Sequence, residues 1–201
     1  MTEAKIRPAR REDSRTIAEL FLISSDGLAA YIWSKVAEPG ETTLDAGARR
    51  YARDGVAFSY QNCVLADLDG TVAGMAHSFP MDADPAAQAE ADPVLRPYAE
   101  LEDCGSLYLS GIALFPEHRG RGIGTQLMTA VDDRARALNR PRLSLICFER
   151  NEGAMRWYRR LGFEELARRP LVPDPLLHYP DGDAVLLARG VDAAASGRGS
   201  R

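Results

Sequence analysis

The sequence predicts a mixed α/β fold, an α/β or α+β sandwich in which helices flank a sheet. Its apolar runs and amphipathic segments follow the order β-α-α-β-β, a break in the pattern, and then β-α-β-α-β-β, which is neither strictly alternating nor segregated. The 201 residues, 45% of them hydrophobic, suffice for a substantial core. We expect one domain over residues 1–189, with an insertion at 79–103, and a disordered, small and polar tail at 190–201.

The N-terminal part predicts a strand followed by two helices. Residues 6–9 form the strand, and Asp13 or Ser14 can cap a helix whose apolar stripe continues to Leu28. The second helix is expected over 44–53. Aromatic side chains of this region can line a pocket, although completion of the core is the simpler interpretation: Tyr31, Trp33, Tyr51, Phe58 and Tyr60.

Two strands over 62–68 and 71–78 flank an Asp-Gly dipeptide, which is the signal for a two-residue hairpin. Later strands are expected over 142–148, 163–168 and 184–189, with a helix between the first two of these.

The segment 79–103 breaks the pattern with four prolines, and we interpret it as an insertion with one helix near 94–101. Its charge is almost entirely negative, with Arg96 as the exception. This charge indicates either a solubilising surface or attraction of a cationic amine, and it comes from Asp82, Asp84, Glu90, Asp92, Glu100, Glu102 and Asp103.

The most informative stretch is 107–138. Residues 107–114 form an apolar strand, Pro116 ends it, and a helix follows with one apolar face formed by Ile123, Leu127, Met128, Val131, Ala135 and Leu138. The turn between them, RGRGIG at 119–124, places glycines at a helix N-terminus, where free N–H groups and the helix dipole attract an anion.

Glycines in this turn permit positive φ and close approach of a phosphate, and the neighbouring arginines add charge. The Walker pattern is excluded because it requires a lysine, and the dinucleotide fingerprint is excluded because Thr125 stands where its third glycine belongs. We predict a cradle for a diphosphate; the alternative is an ordinary glycine-rich turn.

The spacing Arg-x-x-Gly-x-Gly that begins at Arg119 resembles motif A of the GNAT acyl-CoA N-acyltransferase superfamily. The pattern N-x-x-A-x-x-x-Y-x-x-x-G-F from Asn151 to Phe163 resembles its motif B. The resemblance implies a mostly antiparallel mixed sheet with a splayed central strand pair, acetyl-CoA as co-substrate, and no metal. It also implies the coenzyme-binding residues, which are Ile112, Ala113, Leu114, Arg119, Gly120, Arg121, Gly122, Ile123, Gly124, Thr125 and Asn151.

Acyl transfer to an amine needs a neutral amine, a stabilised oxyanion and a protonated leaving thiolate. The resemblance assigns the last task to the phenol of Tyr158 and the second to backbone N–H groups at 112–114. Purely structural roles are the alternatives for both side chains. Asn151 can serve only as a helix cap, and Tyr158 can be a core residue.

The general base is less well defined, and Glu102 is our choice. Family members that acetylate ribosomal-protein N-termini carry a glutamate five residues before the motif-B asparagine, where this chain has Ile146. Other candidates are Glu100, Asp103, His77, Glu117 and His118, and a chain of water molecules is a further alternative.

Composition narrows the class of protein. A net charge of -4 argues against nucleic-acid binding through the overall field. The absence of a long apolar run predicts a cytoplasmic protein without membrane contact. Cys63, Cys104 and Cys147 are odd in number and widely spaced, which favours reduced thiols over disulfides or a metal site.

These observations predict an N-acetyltransferase that moves an acetyl group from acetyl-CoA to a primary amine of a small molecule or peptide by direct attack. The alternatives are a non-catalytic acyl-CoA sensor and an acetyltransferase acting on a protein N-terminus or another macromolecule such as aminoacyl-tRNA. The sequence does not determine the oligomeric state, and a homodimer is one of the alternatives.

Overall fold

The computed structural model describes residues 4–83, 85 and 89–191. Within these residues seven strands form one sheet in the order β1-β2-β3-β4-β5-β7-β6, and every neighbouring pair is antiparallel except β4 and β5. The predicted mixed fold is therefore confirmed. The strands are β1 (Lys5–Pro8), β2 (Cys63–Leu68), β3 (Thr71–Pro80), β4 (Leu107–Leu114), β5 (Arg142–Phe148), β6 (Glu164–Pro170) and β7 (Asp183–Gly190).

Six α-helices flank the sheet in the described part of the chain: α1 (Ser14–Ser24), α2 (Leu28–Val36), α3 (Thr43–Tyr51), the one-turn α4 (Arg96–Ala99), α5 (Ile123–Ala137) and α6 (Glu152–Arg160). The expected continuation of the first stripe to Leu28 is wrong, because α1 ends at Ser24 and Leu28 begins a separate helix that the sequence analysis missed. Leu138 is also misassigned: it follows the last turn of α5 and is 41% exposed.

The sheet separates two hydrophobic cores. Leu127 and Val131 of α5 pack with Leu143 of β5 on one face, while Ile17 and Trp33 lie in the core that α1, α2 and α3 form on the other. Because both faces are covered, the central strands are apolar on both sides, and their side-chain pattern was readable from the sequence.

The two halves of the sheet diverge at its centre. β4 and β5 pair in parallel only at Leu107 with Leu143 and at Tyr108 with Ser144. Just before this short ladder, the buried hydroxyls of Ser106 and Ser144 lie 2.6 Å apart. Beyond Tyr108 the strands separate, which leaves the β5-facing edge of β4 without a ladder partner and opens a gap in the middle of the molecule.

The predicted hairpin is confirmed at Asp69 and Gly70, where positive φ values of 52° and 85° fit a type I′ turn. The boundaries of the insertion are shifted, because β3 continues through Pro80. The predicted tail also begins too early, since Gly190 ends β7, and residues 192–201 lie outside the described residues.

Acidic residues of the insertion are largely engaged by cations elsewhere in the chain. Asp84 lies outside the described residues. Four of the other six form ion pairs, which are Asp82 with Arg140, Asp92 with Lys35, Glu100 with Arg169 and Asp103 with Arg142, whereas Glu90 and Glu102 form none among the described residues. These pairs attach the insertion to the rest of the fold, so most of its acidic charge is balanced by cations of the chain. Within residues 4–83, 85 and 89–191, no helix combines the length and the hydropathy needed to span a bilayer.

Candidate active site

A cavity of about 790 Å³ occupies the gap between β4 and β5. The α1–α2 connection, β4, the turn before α5, the end of β5 and α6 all contribute to its wall. It thus runs from the predicted phosphate cradle to the tyrosine of the predicted motif B.

The cradle lies at one end of this cavity. Gly120 and Gly122 have φ values of 73° and 80°, in the left-handed region that favours glycine, and Gly122 is the N-cap of α5. None of the N–H groups of 120–124 has a hydrogen-bond acceptor among the described residues. A cluster of free donors at the positive end of a 15-residue helix is suited to an anion.

Other predicted binding residues surround the cradle. Gly120, Gly122, Gly124 and Thr125 line the cavity, as does Arg119, whose Nε donates weakly to the Leu114 carbonyl at 3.4 Å. Arg121 and Ile123 do not line the cavity; Arg121 is exposed, and Ile123 is buried in the core beneath α5.

β4 supplies the wall between the cradle and the far end. Ile112, Ala113 and Leu114 line the cavity and pair with β3 on their other edge. A β-bulge at Ser110 interrupts that pairing, because His77 opposes Gly111 whereas Ser78 opposes Leu109. On the opposite edge, the ladder with β5 ends at Tyr108, so backbone groups of β4 beyond that residue remain available to a bound molecule.

Asn151 caps α6 and also reaches into the cavity wall. Its Oδ1 accepts from the Ala154 N–H at 3.2 Å, and its Nδ2 donates to the Asp26 carboxylate at 2.9 Å. Asn151 thus does more than cap α6, because it also contacts Asp26. The second N–H of its amide is left for a further acceptor.

Tyr158 is mostly buried and lies on the cavity wall, against the rings of Trp157 and Phe163. Burial, followed by the neighbouring groups Cys147, Tyr108 and Asp26, raises the pKa of its phenol well above the usual range. Its hydroxyl has no hydrogen-bond partner among the described residues. The phenol is therefore protonated at neutral pH and free to donate to a ligand.

The structure does not bring Glu102 to the cavity. Its side chain is exposed and does not contribute to the cavity wall. The other acids next to it in sequence are held in the ion pairs of the insertion. Glu117 and His118 belong to the short turn after β4 and do not line the cavity either.

His77 is fully buried, and burial lowers its pKa to about 4. Its Nε2 faces the Ala57 carbonyl at 3.0 Å, and its Nδ1 contacts the Ser110 hydroxyl at 2.5 Å. Since a carbonyl only accepts, Nε2 carries the proton and Nδ1 accepts from Ser110. His77 is thus a neutral structural partner of the bulge.

Asp26 is the carboxylate that the sequence analysis missed. It lies in the α1–α2 connection at φ 48° and is the one acidic residue among the cavity-lining residues that the structure describes. Its other oxygen faces the His178 Nδ1 at 3.6 Å. The Asp-Gly dipeptide at 26–27 was the available signal, and it was overlooked because α2 was not predicted.

The five aromatic residues of the N-terminal part divide between core and pocket. Trp33 and Tyr51 are buried in the core, whereas Phe58 lines the cavity. Tyr31 donates to Asp92, and Tyr60 donates to Asp54. All three cysteines are free thiols. Among the described residues, no group of three or more His, Cys, Asp and Glu side chains could hold a metal ion.

The model of the Acetyltransferase (GNAT) family matches residues 29–163, which include the split between β4 and β5, the glycine-rich turn before α5 and Tyr158. The chain belongs to the GNAT acetyltransferase family. A comparison with curated proteins gives no match.

Solved structures share the fold at low sequence identity. A protein described as an acetyltransferase has 22% identity and a TM-score of 0.63, with 94% of this chain and 100% of that chain covered. An N-acetyltransferase from Staphylococcus aureus Mu50 has 24% identity and a TM-score of 0.62, covering 92% and 100%. A GNAT phosphinothricin acetyltransferase from Sinorhizobium meliloti, in complex with acetyl-CoA, has 21% identity and a TM-score of 0.58, covering 100% and 94%.

Proposed function

We propose that this protein is an acetyl-CoA-dependent N-acetyltransferase that acetylates a primary amine of a small molecule or peptide. The observation that carries the proposal is the continuity of one cavity from the free N–H groups before α5 to the phenol of Tyr158. Such a cavity can hold a diphosphate at one end and a thioester at the other.

The coenzyme would lie along β4. Its diphosphate would accept from the N–H groups around Gly122 and Gly124, with Arg119 nearby. Its pantetheine amides would meet the open edge of Ile112–Leu114 and the remaining N–H of Asn151. Acetyl-CoA bound to the Sinorhizobium meliloti enzyme supports this choice of ligand.

The reaction would proceed by direct attack. The lone pair of the neutral amine forms the new C–N bond at the acetyl carbonyl carbon, and the C–S bond breaks. The amine nitrogen loses a proton, and the departing sulfur receives one from the hydroxyl of Tyr158, which solvent then replaces. Net, an amine and acetyl-CoA give an acetamide and free CoA. Open N–H groups of β4 would stabilise the carbonyl oxygen as it gains charge.

Measurement of CoA release with a panel of primary amines tests the proposal. We expect turnover with at least one amine in the wild type and a strong loss in Tyr158→Phe. If acetyl-CoA binds but no amine supports CoA release, the protein is a sensor of acyl-CoA and the enzymatic proposal is wrong.

A further inference from the structure

We propose that the acceptor is a cationic primary amine with an apolar or aromatic body, and that Asp26 binds its nitrogen. This inference rests on the proposed function and specifies its substrate class. The residue that contacts the acceptor nitrogen would thus lie in the α1–α2 connection. This connection is far in sequence from the glycine-rich turn before α5 and from Tyr158.

Asp26 lies at the end of the cavity where the acetyl group would be delivered. Its charge is close enough to the phenols of Tyr98 and Tyr158 and to the thiol of Cys147 to contribute to raising their pKa values, after the larger effect of burial. All four side chains line the cavity. A carboxylate beside the predicted proton donor is therefore placed to contact the incoming nitrogen.

The carboxylate is held in position before any ligand arrives. Its Oδ2 accepts from Asn151, and its own backbone carbonyl accepts from the His178 N–H at 3.0 Å. Next to it, a Cβ at Gly27 would lie 2.0 Å from the Leu176 carbonyl oxygen, so the connection packs tightly against the β6–β7 loop. Preorganised charge of this kind binds a cation with little loss of conformational freedom.

The wall of the cavity is mainly apolar and aromatic, although Ser24, Ser25, Ser110 and Arg160 also contribute to it. Leu28, Ile32, Phe58, Phe148 and Tyr98 contribute to its wall. A side-chain carboxylate with 15% exposure, set among such groups, favours an ammonium attached to an apolar body over a highly polar amine.

Tyr98 provides an independent indication that a ligand completes this wall. Its hydroxyl is buried and has no hydrogen-bond partner among the described residues. Leaving a buried hydroxyl unpaired is unfavourable, and a polar atom of the acceptor would supply the missing partner.

Asp26 would act on charge rather than as a strong base. A free alkylamine has a pKa of about 10.4, so it arrives mainly as the ammonium ion, which the carboxylate attracts. When the deprotonated fraction attacks, the nitrogen again becomes positive as the C–N bond forms. Asp26 then stabilises this charge and accepts the proton, which passes to solvent.

The test uses Asp26→Asn, which removes the charge but keeps an acceptor for Asn151. Binding of phenethylamine to the protein with CoA is measured by calorimetry, and kcat/KM is measured with acetyl-CoA. We expect the Kd for phenethylamine to rise about 10- to 100-fold and kcat/KM to fall by at least as much. For aniline, which is uncharged at neutral pH, Kd and kcat/KM should change by about 3-fold or less. The Kd for acetyl-CoA should not change.

Asp69→Asn is the matched control, because Asp69 is exposed, has a φ of 52° and lies in the β2–β3 turn. It should leave all these values unchanged. Asp26→Glu should keep the preference for phenethylamine over aniline, and cooperative unfolding checks that each variant folds.

Equal losses for both amines, or unchanged phenethylamine binding in Asp26→Asn, would overturn the inference. A parallel loss of acetyl-CoA affinity would show that Asp26 acts only by positioning Asn151, and the inference would again be wrong. If the wild type binds phenethylamine through Asp26 but acetylates no amine, the proposed function fails while this assignment of the binding group holds.

Discussion

The phenol of Tyr158 combines burial with an unused hydroxyl, and these two properties decide what it can do. Because its raised pKa keeps it protonated, it can donate to the leaving sulfur across the neutral range. Tyr158→Phe should lower kcat about 10²- to 10³-fold while the Kd for acetyl-CoA changes by less than about 3-fold.

Steady-state kinetics and calorimetry check this prediction. Tyr51→Phe is a suitable control, since Tyr51 is a buried tyrosine outside the cavity lining. The kcat of this variant should match that of the wild type. An unchanged kcat in Tyr158→Phe would leave Tyr158 as a core residue only.

His77 illustrates how a residue that sequence reasoning considers catalytic can be structural. Its folded pKa of about 4 lies below the usual value of 6.5, so between these pH values the unfolded chain binds the proton and the folded protein does not. Stability contributed by the neutral imidazole is complete above about pH 6.5 and is lost as the pH falls toward 4.

Between pH 7 and 4.5, we therefore expect the wild type to lose about 2 kcal/mol more unfolding free energy than His77→Gln. Urea denaturation across this range measures the difference. Parallel pH dependences for the two proteins would contradict the assignment of a buried neutral histidine.

At the scale of elements, the start of α5 shows how much function a short turn can encode. Gly122 has a φ of 80° and open space where a Cβ would lie, so Gly122→Val strains the backbone and also projects a side chain into the cradle. We expect at least about a 10-fold loss of acetyl-CoA affinity by calorimetry.

Gly40→Val separates strain from binding. Gly40 has a φ of 88°, open space around its Cβ position and no place in the cavity lining, so this variant should lose stability by about 1–2 kcal/mol and bind acetyl-CoA normally. Equal affinities for the two variants would remove the argument for a phosphate cradle.

Elements with a strong local signal were predicted well, and those without it were not. Strand β4 and helix α6 have an apolar run and a capping asparagine, respectively, and both appear where the sequence placed them. Helix α2 begins after left-handed Gly27, which has no side chain, and the Ser25 hydroxyl two residues earlier accepts from the Ala29 N–H at 3.2 Å. Its start also depends on packing against the β6–β7 loop, which no local pattern records.

For the whole molecule, the gap between the two halves of the sheet is the feature that a ligand would fill. Binding that favours the folded state stabilises it by about 2.7 kcal/mol at a ligand concentration 100 times the Kd. For a chain of this size, acetyl-CoA at that concentration should raise Tm by roughly 5–10 °C.

A thermal scan with and without acetyl-CoA measures this shift. S-acetylpantetheine at the same concentration is the matched control, since it lacks the diphosphate and should give a much smaller shift. Equal shifts for the two compounds would argue that the helix N-terminus does not bind the diphosphate.

The sequence by itself determined most of the order of strands and helices along the chain, the asparagine cap of α6 and the glycine-rich turn before α5, because each depends on the chemistry of a few neighbouring residues. It did not determine which carboxylate reaches the cavity. Glu102 is exposed and its neighbours Glu100 and Asp103 are held in ion pairs, whereas Asp26 meets Asn151 across 125 residues of chain. Such a meeting depends on how α1, β5 and the β6–β7 loop pack together, so only the tertiary structure could decide it.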